Sequence, residues 1–163
     1  MGLTYKNVYW LWLSAAVIFL DQVTKQMIVK SFAWYETKAI VPHFNLVYLK
    51  NTGAAFSMMS NAPAIVFIAL GVAVSVGILV WLRRNPRGQT MIAIAFCLIL
   101  GGALGNVIDR VTRQYVVDFI QVFWGTHYFP AFNVADSAIT VGAGLLILDM
   151  ILQSRKPAAV VQK

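Results

Sequence analysis

Four long apolar stretches, over residues 8–29, 62–82, 90–108 and 134–152, set the rhythm of the chain. A helix that crosses the hydrocarbon layer needs about 20 mostly apolar residues, so each stretch is a predicted membrane span. The second is free of charge. The first turns polar at Asp21 and Lys25, and the fourth carries Asp136 at its start and Asp149 near its end. Between the first two stretches, residues 43–50 (HFNLVYLK) follow Pro42, are rich in strand formers, and end in an Asn51-Thr52-Gly53 turn signal. Between the last two, residues 115–124 (YVVDFIQVFW) read the same way. Seven aromatic residues fall between Tyr115 and Phe132, and such rings favour the headgroup region, which places this loop at the outer interface. The expected fold class is an all-α polytopic membrane protein: one integral membrane domain over 1–163, four transmembrane helices, and two outer loops over 30–61 and 109–133.

Composition sharpens the class. Hydrophobic residues make up 60% of the chain and charged residues 12%. A soluble domain of that make-up would expose large adhesive patches. The net charge of +7 is scattered and sits at segment ends, without the basic stripe that would mark a nucleic-acid partner. Arg83, Arg84 and Arg87 in the short connection between the second and third stretches place that loop in the cytoplasm by the positive-inside rule. Four spans then put both termini inside, in agreement with Arg155, Lys156 and Lys163; Lys30, Lys38 and Lys50 in the first outer loop weigh the other way. Lys6 followed by apolar residues looks like a signal peptide, but no small-x-small cleavage site follows, so the segment reads as a retained first helix. A single cysteine, Cys97, rules out a disulfide framework and reads as a buried apolar residue.

Acids decide the chemistry. Of six, four (Asp21, Asp109, Asp118 and Asp136) map to the outer end of the predicted spans. Ionisable groups near lipid are expensive and mark function by default. Asp21 and Lys25 are spaced i,i+4, as are Asp109 and Arg113, with Arg110 also at the end of its helix; these read as structural ion pairs. Asp118 and Asp136 have no cation at helical spacing and lie among apolar residues. Desolvation and a second carboxylate nearby raise a carboxyl pKa, and two aspartates sharing a proton can activate water. Asn133 is a candidate N-cap that would place Asp136 at the third helical position, where the dipole favours the anion. Asp136 is therefore expected to be the ionised base and Asp118 the protonated acid.

Other chemistry is poorly represented. His43 and His127 stand apart, with no HExxH motif, no GxSxG elbow and no Walker A loop in the chain. Ser137 reads as structural. Oxygen ligation of Mg²⁺ by the carboxylates with Asn51, Asn106 and Asn133 is a weaker option. Two other classes compete: a proton-coupled transporter, whose acids would sit nearer mid-membrane, and a metal-dependent lipid-headgroup enzyme, which a chelator would inhibit. Gly101 with Gly105, Gly71 with Ser75, and Ala138 with Gly142 form small-residue pairs suited to close helix packing.

Five blocks, DQVTK (21–25), NTGAAFS (51–57), GGALGNVIDR (101–110), VVDFI (116–120) and FNVADSAI (132–139), resemble, in order, the signature blocks of bacterial lipoprotein signal peptidase, also called signal peptidase II or prolipoprotein signal peptidase. The resemblance implies an aspartic endopeptidase of the bacterial cytoplasmic membrane, with its active site toward the outer face. Its substrate would be a diacylglyceryl-modified prolipoprotein, cut just before the lipidated cysteine. It implies Asp118 and Asp136 as the catalytic pair. Asp21, Lys25, Asn51, Gly53, Asn106, Asp109, Arg110, Asn133 and Ala135 match the other recurrent site positions. It further implies no metal and no cofactor, contact with membrane lipid, inhibition by the cyclic peptide globomycin, and outer loops built as a small β-cradle with a mobile helix.

Overall fold

The computed structural model describes residues 7–53, 62–85 and 88–155. A short 3₁₀ turn, Asn7–Trp10, leads into α1 (Leu11–Ser31). Then come β1 (Thr37–Val41), β2 (Phe44–Asn51), α2 (Ala64–Arg84), α3 (Thr90–Arg113), β3 (Val116–Trp124), β4 (His127–Tyr128) and α4 (Val134–Ser154). The four predicted helices are all present. α3 runs five residues past its expected end at 108, because Asp109 and Arg113 find partners on α1 and β3 and the chain turns only at Gln114, which takes a left-handed conformation. The second outer loop accordingly starts at 114 rather than 109.

Among the described residues three helices are long and apolar enough to cross a membrane: α2, α3 and α4. α1 falls short, since Asp21, Gln22, Lys25 and Gln26 break its apolar run. The flanks of α2 and α4 leave large apolar side chains uncovered, such as Leu70 at 62% and Met150 at 71% exposure, as helices bathed in hydrocarbon would.

α3 is the axis of the bundle, packed by α1, α2 and α4. It runs parallel to α1: the Ser14 hydroxyl bonds the Cys97 carbonyl low in the pair, and Arg113 bonds Gln26 at the other end. It runs antiparallel to α4, with Ala95 beside Gly142 and Gly102 beside Ala135. Close approach depends on small residues. A Cβ at Gly102 would run into the Ala135 carbonyl oxygen and lie 2.7 Å from Ile139 Cγ1, and one at Gly105 would lie 2.6 Å from Asp21 Oδ2. Ile78, Leu82, Ala93, Cys97 and Leu100 form a buried core toward the end where α2 gives way to α3, and Cys97 is fully enclosed there. Asn7 ties the chain's start to the same end through the Asn85 carbonyl. Arg87, Lys156 and Lys163, used above for orientation, lie outside the described residues.

At the opposite end the four strands form one antiparallel sheet in the order β1-β2-β3-β4. Both strand-like segments were legible as strands, and the structure pairs them: Leu49 faces Asp118 and Asn51 faces Val116, with a register shift between Leu46 and Leu49. The sheet is seated on the end of α1 through a second core of Ile28, Tyr48, Val117 and Phe119. After the β3–β4 hairpin the chain returns along β3. The Phe132 carbonyl accepts from the N–H groups of Phe119 and Ile120, and Phe132 N–H donates back to Ile120. That return brings Asn133 alongside Asp118. Residues 54–61, part of the first outer loop for which a mobile helix is implied, lie outside the described residues.

Candidate active site

Beneath the sheet, charged side chains from α1 and α3 form a fully buried cluster. Lys25 Nζ lies 2.8 Å from Asp21 Oδ2 and 3.0 Å from Asp109 Oδ2, with all three side chains inaccessible. Arg113 closes on Asp109 Oδ1. Taking such charges out of water costs several kcal/mol per ion, which their mutual attraction repays only if the remaining lone pairs and protons find partners. Here they do. Gln22 Nε2 donates to both Asp21 and Asp109. Asp21 Oδ1 accepts the Ala135 N–H at 2.9 Å, and Asp109 Oδ2 accepts the Val117 N–H at 3.1 Å. The two ion pairs legible as separate i,i+4 pairs are thus one network. Each of its acids grips the backbone one residue ahead of a cleft aspartate: Val117 before Asp118, Ala135 before Asp136.

Asp118 projects from β3 and Asp136 from the first turn of α4, and both line a cleft of about 600 Å³. Three asparagines hold them. Asn51 Nδ2 donates to Asp118 Oδ2 at 2.9 Å and Asn133 Nδ2 to Asp118 Oδ1 at 2.7 Å. Asn106 Nδ2 donates to Asp136 Oδ1 at 2.8 Å. Asn133 also caps α4 as expected, its Oδ1 accepting the Asp136 N–H at 2.9 Å. Asp118 is only 3% exposed. Burial, then the negative charge of Asp136, push its carboxyl up to about 7, against the opposing pull of the Asn51 and Asn133 amides and the Lys25 ammonium. No cation at helical spacing was visible for Asp118 in the sequence, yet Lys25 reaches it by field across the fold.

The remaining expected residues converge on the same place. Arg110, 8% exposed, lines the cleft and donates from Nη2 to the Gly53 carbonyl at 2.6 Å, while Gly53 N–H bonds Asn51 Oδ1 at 2.9 Å. Its guanidinium lies 4.9 Å from the Phe67 ring centre of α2. Ala135 contributes its backbone N–H and a fully buried methyl group. Sequence reasoning missed Gln22, whose signal was its position between two helix faces next to Asp21. It also missed the apolar lining of Phe129, Pro130, Phe132, Ile139 and Val141. Asp149, at the far end of α4, bonds only Gln153 among the described residues, and His43 and His127 sit on the sheet away from the cleft. Among the described residues no three His, Cys, Asp or Glu side chains are placed to share a metal ion. The cation between Asp21 and Asp109 is the Lys25 ammonium itself.

A family model described as signal peptidase (SPase) II matches residues 13–152, from α1 through α4. The chain belongs to the signal peptidase II family. It is therefore a peptidase, a hydrolase of peptide bonds. It is 44% identical over 151 residues to the lipoprotein signal peptidase of Shewanella loihica, covering 91% of this chain and 89% of that one. To the lipoprotein signal peptidase of Alteromonas mediterranea it is 46% identical, over 90% and 82% of the two chains. A solved bacterial membrane enzyme, at 28% identity, superposes with a TM-score of 0.87 over 100% of this chain and 99% of its own. A second superposes with a TM-score of 0.79 at 29% identity, over 91% and 97%. The four-helix bundle with its end-on sheet is thus a signal peptidase II fold.

Proposed function

We propose that this peptidase removes the signal peptide from diacylglyceryl-modified prolipoproteins, cutting just before the lipidated cysteine with a water activated between Asp118 and Asp136. The observation that carries this reading is the cleft itself. Two carboxyls from separate elements line one apolar chamber, each fixed by asparagine amides, and one is held near neutrality.

Asp136, at the positive end of α4, is the base. It takes a proton from the water as the oxygen attacks the scissile carbonyl carbon. Asp118 enters protonated and donates a hydrogen bond to the carbonyl oxygen as negative charge gathers there. Both its oxygens already accept amide protons, so its own proton is free to point into the cleft. When the tetrahedral intermediate collapses, the C–N bond breaks and the proton taken by Asp136 passes to the departing cysteine nitrogen. The products are a signal peptide with a new carboxyl end and a lipoprotein with a free amine. Asn51 and Asn133 hold Asp118, and Asn106 holds Asp136. Arg110 anchors the strand end at Gly53, and the buried charge network fixes Val117 and Ala135. The Phe129–Phe132 wall suits a substrate whose acyl chains remain in lipid.

In this reading all four helices span the cytoplasmic membrane as one domain, both termini are cytoplasmic, and the sheet and cleft face outward. α1 crosses with its polar face turned into the bundle. Globomycin would occupy the same cleft. The test is cleavage of a purified diacylglyceryl prolipoprotein by enzyme in excess EDTA. Cleavage should persist in the wild type. Asp118→Asn and Asp136→Asn should each lose about 10²–10⁴-fold or more, as expected for a required acid or base. Full turnover by either variant would sink the dyad.

A further inference from the structure

Each of the three asparagines presents its NH₂ to a carboxylate, and in each the opposite end of the amide is tied. Asn51 Oδ1 is held by the Gly53 N–H and Asn133 Oδ1 by the Asp136 N–H. Asn106 differs. Its Oδ1 receives the Lys25 ammonium at 2.9 Å, with the Asn133 amide only at 3.5 Å. The two ends of a carboxamide differ only as donor and acceptor, so partners decide its orientation. Turned over, Asn106 would set an oxygen against Asp136 and an NH₂ against Lys25, both repulsive.

Resting on the dyad reading above, we propose that Lys25 is the positioning residue for Asp136: fixed by Asp21 and Asp109, its ammonium locks the Asn106 amide so that Asn106 Nδ2 faces the Asp136 carboxylate. Lys25 is fully buried and does not line the cleft, so it touches no substrate. Charged and titratable groups face it from every packed element: Asp21 on its own helix, Asp109 on α3, and Asp118 on β3, which feels its charge. Asp136 on α4 feels the opposed charges of Lys25 and Asp21 directly, and is reached by contact through Asn106. Two backbone N–H groups do for Asn51 and Asn133 what a side chain does for Asn106. The orientation of the Asn106 amide, and with it that of Asp136, is therefore the one of the three that substitution can unlock without moving the main chain.

The experiment is a double-mutant cycle on the full-length enzyme in detergent with a diacylglyceryl prolipopeptide. Asn106→Leu leaves both Lys25 ion pairs in place. Asp21→Asn/Lys25→Met removes one charge of each sign, leaves Asp109 to Arg113, and keeps an acceptor for the Ala135 N–H. Each should lower kcat about 10- to 100-fold, the equivalent of one lost hydrogen bond to a charged group, with KM unchanged. The triple variant should be no slower than the slower parent, because both changes break the same relay. Deficits that multiply, or a folded Asp21→Asn/Lys25→Met enzyme with wild-type kcat, would overturn the role. Should the charge-balanced variant not fold, solid-state NMR on the wild type decides the matter. Strong dipolar coupling between Lys25 Nζ and the Asn106 carboxamide carbon is expected, and its absence refutes the lock. Asp136→Asn separates the two readings: activity in that variant ends the dyad, whereas inactivity there with multiplying deficits ends only the lock.

Discussion

Replacing Asn51 with leucine should move the alkaline limb of the pH profile upward. Asn51 Nδ2 donates to Asp118 Oδ2 at 2.9 Å and pulls the Asp118 pKa down, against the burial and the Asp136 charge that raise it to about 7. Leucine fills similar space, offers no donor and keeps water out. A hydrogen bond to a charged group is worth about 1.5–3 kcal/mol, and one pKa unit corresponds to about 1.4 kcal/mol. Asn51 lines the cleft and is only partly buried, so the lower figure applies and the shift is about one unit, from near 7 to roughly 8. The sign follows from the proton: Asp118 works protonated, removing a donor to its ionised form keeps the proton on longer, and activity persists to higher pH. The assay is kcat/KM for a diacylglyceryl prolipopeptide from roughly pH 5 to 10, where the limbs report the free enzyme's acid and base as the coupled pair presents them. An alkaline limb that stays in place, or moves to lower pH, would refute the assignment of the acid to Asp118. Stability carries the same sign. The folded pKa lies above the ordinary 3.8, so the Asp118 contribution is complete below that value and is lost as pH rises through about 7.

Gly102→Ala should lower the thermal midpoint in detergent by the equivalent of about 1–3 kcal/mol of overpacking, because its methyl group meets the Ala135 carbonyl and Ile139. Gly77→Ala, on an open face of α2, should leave the midpoint unchanged or raise it; equal losses in the two would mean that α3 and α4 do not pack this closely. Asp149→Asn should be nearly silent in turnover, since its side chain bonds Gln153 at the end remote from the cleft. A large activity loss in folded protein would contradict that placement.

Much of the fold was legible because its signals are local. Apolar runs of membrane length gave α2 and α4 to within two residues at either end and α3 at its start, β-branched and aromatic runs gave β2 and β3, and Asn133 announced the start of α4. What sequence could not supply was distance across the fold. Asp21–Lys25 and Asp109–Arg113 each look complete as pairs, and only packing of α1 on α3 shows Lys25 bridging both acids. The end of α3 was misplaced for the same reason: charges after residue 108 suggest a loop until their partners on α1 and β3 are known. Asn106 had no local mark of orientation, since the group that turns it is the distant Lys25, whereas Asn51 is turned by the Gly53 N–H within the turn its own sequence announces.

Because Asp109 holds Val117 and Asp21 holds Ala135, the two cleft aspartates hang from a single seam between α1 and α3. The hairpin that separates them in the chain is an excursion between two fixed posts. Its tip, around Gly125, is where length and sequence have room to drift between species, or where a reporter tag would be tolerated. Insertions between 109 and 118, or between 133 and 136, would lever one carboxyl away from the other.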